Sequence, residues 1–196
     1  MLDGPAVTVI AHERAAEDMA WTRLPTARPE VRFADQLTVT LGESSVQLQY
    51  YGPNNGRGSV SMRFMPANVM FVVDWVLVGR MPYRNFQGYD VHGVIRSTRA
   101  LLAQPRFDVF VGGHGDVGTW EDVKFYLGYM EALYAGVRGG MLAGKTLADL
   151  QRELRFPKYS GLRMYQEWLP ENIAGVYDML INDAYFHLRE GVQAEP

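Results

Sequence analysis

Arg106-Phe107-Asp108-Val109-Phe110-Val111-Gly112-Gly113-His114-Gly115-Asp116-Val117-Gly118-Thr119 is the stretch on which the fold turns. Its start, rich in Val and Phe, reads as a buried strand. The glycines that follow let the backbone turn sharply and approach other atoms closely. One histidine stands at the turn. Thr119-Trp120-Glu121-Asp122 then has the spacing of a capping box, with Asp in place of the more usual Glu. A strand, a turn bearing one ligand-type side chain and a helix is how α/β proteins place chemistry at the carboxyl ends of their strands. The same residues also describe an ordinary strand-to-helix corner whose histidine caps a backbone group.

Working outward, residues 6–11 read as a buried strand and 12–20 as a helix. Strands are expected over 36–41 and 45–51, joined by Gly42-Glu43 as a tight hairpin turn. Residues 52–58 are dense in turn formers, and strands follow over 59–64 and 69–78. Asp74 is the single acid in the last of these, and a carboxylate in an apolar strand must be paired, ligated or at an exposed end. Residues 79–88 form a loop. Val91, Val94, Ile95, Thr98, Leu101 and Leu102 recur at helical spacing, and Pro105 closes that helix. After His114, an apolar stripe from Val123 to Val137 predicts a helix stopping at Gly139-Gly140. Thr146 caps a short helix to Leu154, residues 156–161 break the chain, and 171–188 form a terminal helix. This order predicts a layered α/β or α+β fold in a single domain over 1–196.

The 196 residues suffice for one domain with a sizeable core. A net charge of -3 argues against a nucleic-acid-binding surface. With no cysteine, disulfides, thiolate metal sites and a cysteine nucleophile are excluded. The apolar runs are too short to span a bilayer, and the first residues do not read as a signal peptide, so a cytoplasmic protein without membrane partners is expected.

Four segments, in order, resemble the later two-thirds of a metallo-β-lactamase-fold hydrolase. Val9-Ile10-Ala11-His12-Glu13 is similar to the strand after that family's metal-binding helix. The stretch Tyr51 to Ser59 stands in the place of its third histidine motif, and Val69-Met70-Phe71-Val72-Val73-Asp74 resembles the strand ending in a metal-bridging aspartate. Val111-Gly112-Gly113-His114-Gly115 is similar to its terminal Gly-His-Gly motif, and the tail around Trp168-Leu169-Pro170-Glu171-Asn172 resembles tails in some branches. The resemblance implies a truncated αββα sandwich, hydrolase chemistry, and zinc or another divalent metal.

Departures from the family pattern narrow that expectation. The His-x-His-x-Asp-His run is absent, Asn55 stands where a histidine would, and Arg57 replaces a neighbouring acid. Asp74 and His114 are the ligands that remain, too few for a hydrolytic zinc, so a metal is expected to be absent or weakly bound. A metal-free reading makes His114 a general base oriented by Asp74. Its substrate would be a small ester, lactone, phosphoester, sulfate ester or glycoside, the last using Asp74 with Asp116. Ser59 and Ser61 lie in no nucleophile elbow. Asn54, Asn55, Arg57, Arg80 and Arg84 are the candidate substrate-binding residues; Arg80 and Arg84, with Tyr83 on the loop after Asp74, suit an anionic substrate or are simply solvated. Trp168, Tyr159, Tyr165 and Tyr177 read as packing. The alternative is a non-catalytic binding or assembly module on the same scaffold. Without the family's first half, apolar sheet surface would lie open, so a two-fold homodimer is expected. A start at an internal methionine of a longer gene is the rival explanation.

Overall fold

The computed structural model describes residues 7–187. In chain order the elements are β1 (Ile10–His12), α1 (Glu13–Trp21), β2 (Val31–Phe33), β3 (Gln36–Leu41), β4 (Ser44–Tyr50), β5 (Val60–Met65) and β6 (Val69–Val72). They continue with α2 (Val91–Leu102), β7 (Val109–Gly112), α3 (Trp120–Leu142), α4 (Leu147–Glu153), a 3-10 turn at Pro157–Tyr159 and α5 (Tyr165–His187). The result is a layered α/β fold. β1 and β2 pair in parallel, and the main sheet runs β3-β4-β5-β6-β7. Its first four strands are antiparallel, while β7 joins β6 in parallel after the α2 crossover.

The two faces of the main sheet differ. Toward the helices, Met70, Val72 and Phe110 are buried in one cluster with Val94 and Leu101 of α2, Val123 and Met130 of α3, and Ile173 and Val176 of α5. On the other face, the register aligns Val39, Val46, Phe64, Val69 and Val109 in one row across all five strands. Leu37, Leu48, Met62, Phe71 and Val111 form the adjacent row. Neither row contains a charge. β1 and α1 cover the far end of this face, where His12 stacks on Tyr50 with ring centroids 3.8 Å apart. His12 is spent on structure: Nε2 lies 2.6 Å from the carbonyl of Ala34, and Nδ1 accepts from the N–H of Arg14 at 3.2 Å, capping α1.

Several boundaries depart from the sequence reading. β1 spans only Ile10–His12, and Ala6, where the expected strand began, lies outside the described residues. β6 ends at Val72, so the buried run Trp75 to Val78 is core without being strand. β2, which has an arginine at its centre and only three residues, carries too little pattern to be read from sequence. α3 passes through Gly139-Gly140 and ends where Gly144 takes a φ of +76°. α5 begins at Tyr165, ahead of Pro170, and Leu188 lies outside the described residues. Pro170 forfeits one helical hydrogen bond. The helix persists because Tyr165, Trp168, Leu169, Asn172, Ile173 and Val176, at i, i+3, i+4, i+7, i+8 and i+11, are all buried. Among the described residues, no helix is long and apolar enough to cross a membrane.

Candidate functional site

The parallel pairing of β6 with β7 builds the site. Val72 is in register with Gly112, so residues two positions further along each chain emerge side by side. Those residues are Asp74 and His114. Their side chains meet, with His114 Nδ1 2.5 Å from Asp74 Oδ1. Asp74 has a φ of +66°, a left-handed conformation that Asp tolerates better than most residues. A tight turn, Trp75 N–H to Val73 carbonyl at 2.9 Å, holds it there and lifts the carboxylate off the sheet. The acid therefore sits at the strand's exposed end and is paired.

Glycines around His114 answer to local contacts. A Cβ on Gly113 would lie 2.8 Å from Asp74 Oδ1, and Gly115, at φ +148°, would place one 2.8 Å from the Val78 carbonyl. Two backbone hydrogen bonds between Phe110 and Gly118, at 2.7 and 2.9 Å, pin the loop between them. Behind it, Asp122 accepts from the N–H of Thr119 at 2.8 Å and from its hydroxyl at 2.7 Å, anchoring the start of α3.

The pair opens into a cavity of about 480 Å³ lined also by Asn55, Leu77, Arg80, Tyr83, Gln87 and Tyr89. The His114 side chain is 66% exposed and that of Asp74 31%, so water reaches the imidazole freely. Tyr89 donates its hydroxyl to the Asp74 carbonyl at 3.0 Å. Burial, then the Asp74 charge, pushes this phenol up to about 12, with Arg80 opposing weakly. It is a fixed neutral donor, not a base. Asp74 engages Nδ1, and among the described residues Nε2 has no hydrogen-bond partner.

Of the residues singled out from sequence, Asp74, His114, Asn55, Arg80 and Tyr83 line this cavity, and Asn54, Arg57 and Arg84 do not. Asn54 is buried, donating to Ser97 Oγ at 3.2 Å and accepting from the N–H of Asn55 at 2.5 Å. It locks the turn onto α2. Arg57 reaches α1, pairing with Asp18 at 2.5 Å and Glu17 at 3.1 Å. Arg84 stacks over Tyr83 on the outside of the loop, 5.6 Å from the ring centroid. Asp116 pairs with Arg163 at 2.6 Å and lines a separate cavity of about 300 Å³. Sequence reasoning missed Leu77, Gln87 and Tyr89. The usable signal was that Tyr89 directly precedes Asp90, the N-cap of α2, where the loop must return past the strand ends.

The donor set does not fit a hydrolytic metal. One carboxylate, one imidazole and the Asn55 amide share the lining with a guanidinium, and the carboxylate and imidazole face each other. Among the described residues, no group of three or more His, Cys, Asp or Glu side chains is placed to hold an ion.

No protein-family model matches this sequence. No curated protein matches it. Among solved structures, a metallo-β-lactamase from Pontibacter korlensis aligns at 19% identity over 64% of this chain and 58% of its own, with a TM-score of 0.55. The stereoselective inverting sec-alkylsulfatase Pisa1 from Pseudomonas sp. aligns at 18% identity over 86% of this chain and 29% of its own, with a TM-score of 0.61. A double mutant of that sulfatase covers 97% of this chain and 39% of its own, at 15% identity and a TM-score of 0.68. The chain thus spans less than two thirds of the length of each of these structures. At such identities the common property is architecture, and the architecture is clear: the chain has the metallo-β-lactamase fold.

Proposed function

We propose that this chain is a hydrolase of a small ester, with the Asp74–His114 pair as a metal-independent general-base dyad. The observation that carries the reading is the 2.5 Å contact between His114 Nδ1 and Asp74 Oδ1 at the mouth of the cavity. Asp74 holds the imidazole in one tautomer and stabilises the imidazolium formed when Nε2 takes a proton from water. The activated water attacks the ester carbon, phosphorus or sulfur, and His114 returns the proton to the leaving oxygen. Tyr89 keeps its proton and steadies the Asp74 backbone through the 3.0 Å hydrogen bond. Carboxylic esters, lactones, phosphoesters and sulfate esters all suit this arrangement. A glycoside suits it less, because Asp116 is engaged by Arg163 and the cavity lining holds one carboxylate.

The test is a panel of such esters against wild type, Asp74→Asn and His114→Ala. A loss of ~10²-fold or more in kcat/KM in both variants is expected, since positioned acid–base groups contribute about that much. Activity unchanged by chelation is expected as well. Equal rates in all three proteins would overturn the assignment. The second reading, a binding module without catalysis, draws on the 66% exposure of His114, which leaves the base without a water-excluding wall.

The same proposal extends to assembly. The two uncharged apolar rows on the open sheet face carry no like charges to repel a second copy, and two sheets packed face to face form the layers of a sandwich. A two-fold dimer through this face supplies each copy with its second sheet layer.

A further inference from the structure

The turn Asn54-Asn55-Gly56, between β4 and β5, holds its two asparagines differently. Asn54 is buried and pinned. Its carbonyl accepts from the N–H of Asp90 at 2.8 Å, its N–H donates to the Gly56 carbonyl at 3.2 Å, and its amide donates to Ser97 Oγ at 3.2 Å. Asn55 is held by its backbone alone: its N–H donates to Asn54 Oδ1 at 2.5 Å, and its carbonyl accepts from the hydroxyl of Ser59. Its side-chain amide lines the cavity and has no hydrogen-bond partner among the described residues. Asn55-Gly56 is also the one Asn-Gly step in the sequence. Gly56 is exposed and takes a φ of +91°, a conformation that favours glycine. Among the described residues its N–H donates to no acceptor within hydrogen-bond distance. The Ser59 hydroxyl draws electron density out of the Asn55–Gly56 peptide bond through the Asn55 carbonyl, which makes the Gly56 N–H more acidic.

We propose that Asn55 is a self-modification site, whose amide is lost in the folded protein so that the cavity gains a second carboxylate. The Gly56 nitrogen gives its proton to water and forms a bond to the side-chain carbonyl carbon of Asn55. The Cγ–N bond of the amide breaks, and its nitrogen leaves as ammonia. One water then opens the cyclic imide at either carbonyl, giving an aspartyl or an isoaspartyl residue. The balance is one water consumed and one ammonia released. Asparagine is a thermally labile residue in general, and the surroundings select this one. Asn68, Asn85, Asn172 and Asn182 are followed by Val, Phe, Ile and Asp, whose side chains crowd the attacking nitrogen. The amides of Asn68 and Asn172 are held as well, by the carbonyls of Arg106 and Pro82.

The experiment incubates the full chain in mildly alkaline buffer, folded and in urea, as wild type, Ser59→Ala and Asn55→Gln. Peptide mass spectrometry locates the conversion, ion exchange of the intact protein counts the added negative charge, and released ammonia is assayed. Folded wild type is expected to convert at Asn55 alone. Asn55→Gln, which would have to close a larger ring, is expected to stay intact. Ser59→Ala is expected to convert ~3–10-fold more slowly when folded, the rate equivalent of one neutral hydrogen bond, and at the wild-type rate in urea. An Asn55 that stays intact in the folded chain while the chain in urea converts would overturn the proposal. Equal folded-state rates in wild type and Ser59→Ala would overturn it too, because the fold would then add nothing to the Asn-Gly step. These readouts need no turnover, so the hydrolytic reading stands or falls separately.

Discussion

The hydroxyl of Tyr129 donates to Oδ1 of Asn172 at 2.8 Å, in the buried seam between α3 and α5. The amide of Asn172 turns its two N–H groups the other way, to the carbonyls of Pro82 at 3.1 Å and Arg84 at 2.5 Å. One fully buried side chain thus ties the terminal helix to the loop that carries Tyr83 into the cavity. Truncation by Asn172→Ala strands a phenol and two carbonyls. Leaving buried polar groups unpaired costs about 1–3 kcal/mol each, less whatever water recovers, so a loss of about 3 kcal/mol is expected in urea unfolding. A change below about 0.5 kcal/mol would show that the seam is not closed in solution.

Two glycine-to-alanine exchanges should act in opposite directions. Gly113→Ala puts a methyl 2.8 Å from Asp74 Oδ1, so the carboxylate must shift away from His114. Hydrolysis should fall by ~10²-fold with a smaller effect on stability. Gly139 lies inside α3, and a Cβ added there would meet nothing within 4 Å. Gly139→Ala should raise stability by about 0.5–1 kcal/mol, as expected for relieving helix-interior glycine. Thermal unfolding and ester turnover, measured on both variants, separate the two effects.

Local signals made much of this legible from sequence. The run ending at Gly112 and the capping box at Thr119 read correctly because strand composition, turn glycines and cap chemistry agree there. α2 was legible in extent, since its apolar spacing runs from Val91 to Leu102 and Pro105 lies just past its end. The start of α5 was not, because proline argues locally against a helix and only the packing of Trp168 and Leu169 overrides it. At the site, Asp74 and His114 are strand-end residues whose meeting follows from topology. Asn54, Arg57 and Arg84 carry suitable chemistry, but which way a loop side chain faces is decided by distant partners: Ser97, Asp18 and the Tyr83 ring.

Tyr89 gives the site a signature in alkaline solution. Its phenol is raised from 10.0 to about 12, so the folded chain keeps a proton that the unfolded chain releases. The stability this contributes is fully present below pH 10 and is lost as pH rises through about 12. Tyr126 and Tyr129, also raised by burial, add to the same trend, so the comparison with Tyr89→Phe is the informative one. That variant should lose one late-titrating phenol in tyrosinate absorbance and show a shallower fall in stability across this window. An unchanged titration would place Tyr89 in solvent, away from the Asp74 carbonyl.

The open sheet face makes the last prediction. Val39 is 41% exposed and Phe64 39%, and both lie in the same apolar row, Val39 on β3 at the sheet's edge. If a second copy covers that face, wild type sediments as a dimer at micromolar concentration. A lysine on an edge strand is a common natural guard against association and is tolerated in the fold. Val39→Lys should therefore yield a folded monomer, with its charge facing its counterpart or the partner's apolar row. Thr38→Lys, one residue along and on the opposite face of the same strand, should leave the dimer intact. Wild type sedimenting as a compact monomer would overturn the two-fold arrangement, as would a Val39→Lys variant that still dimerises with wild-type affinity.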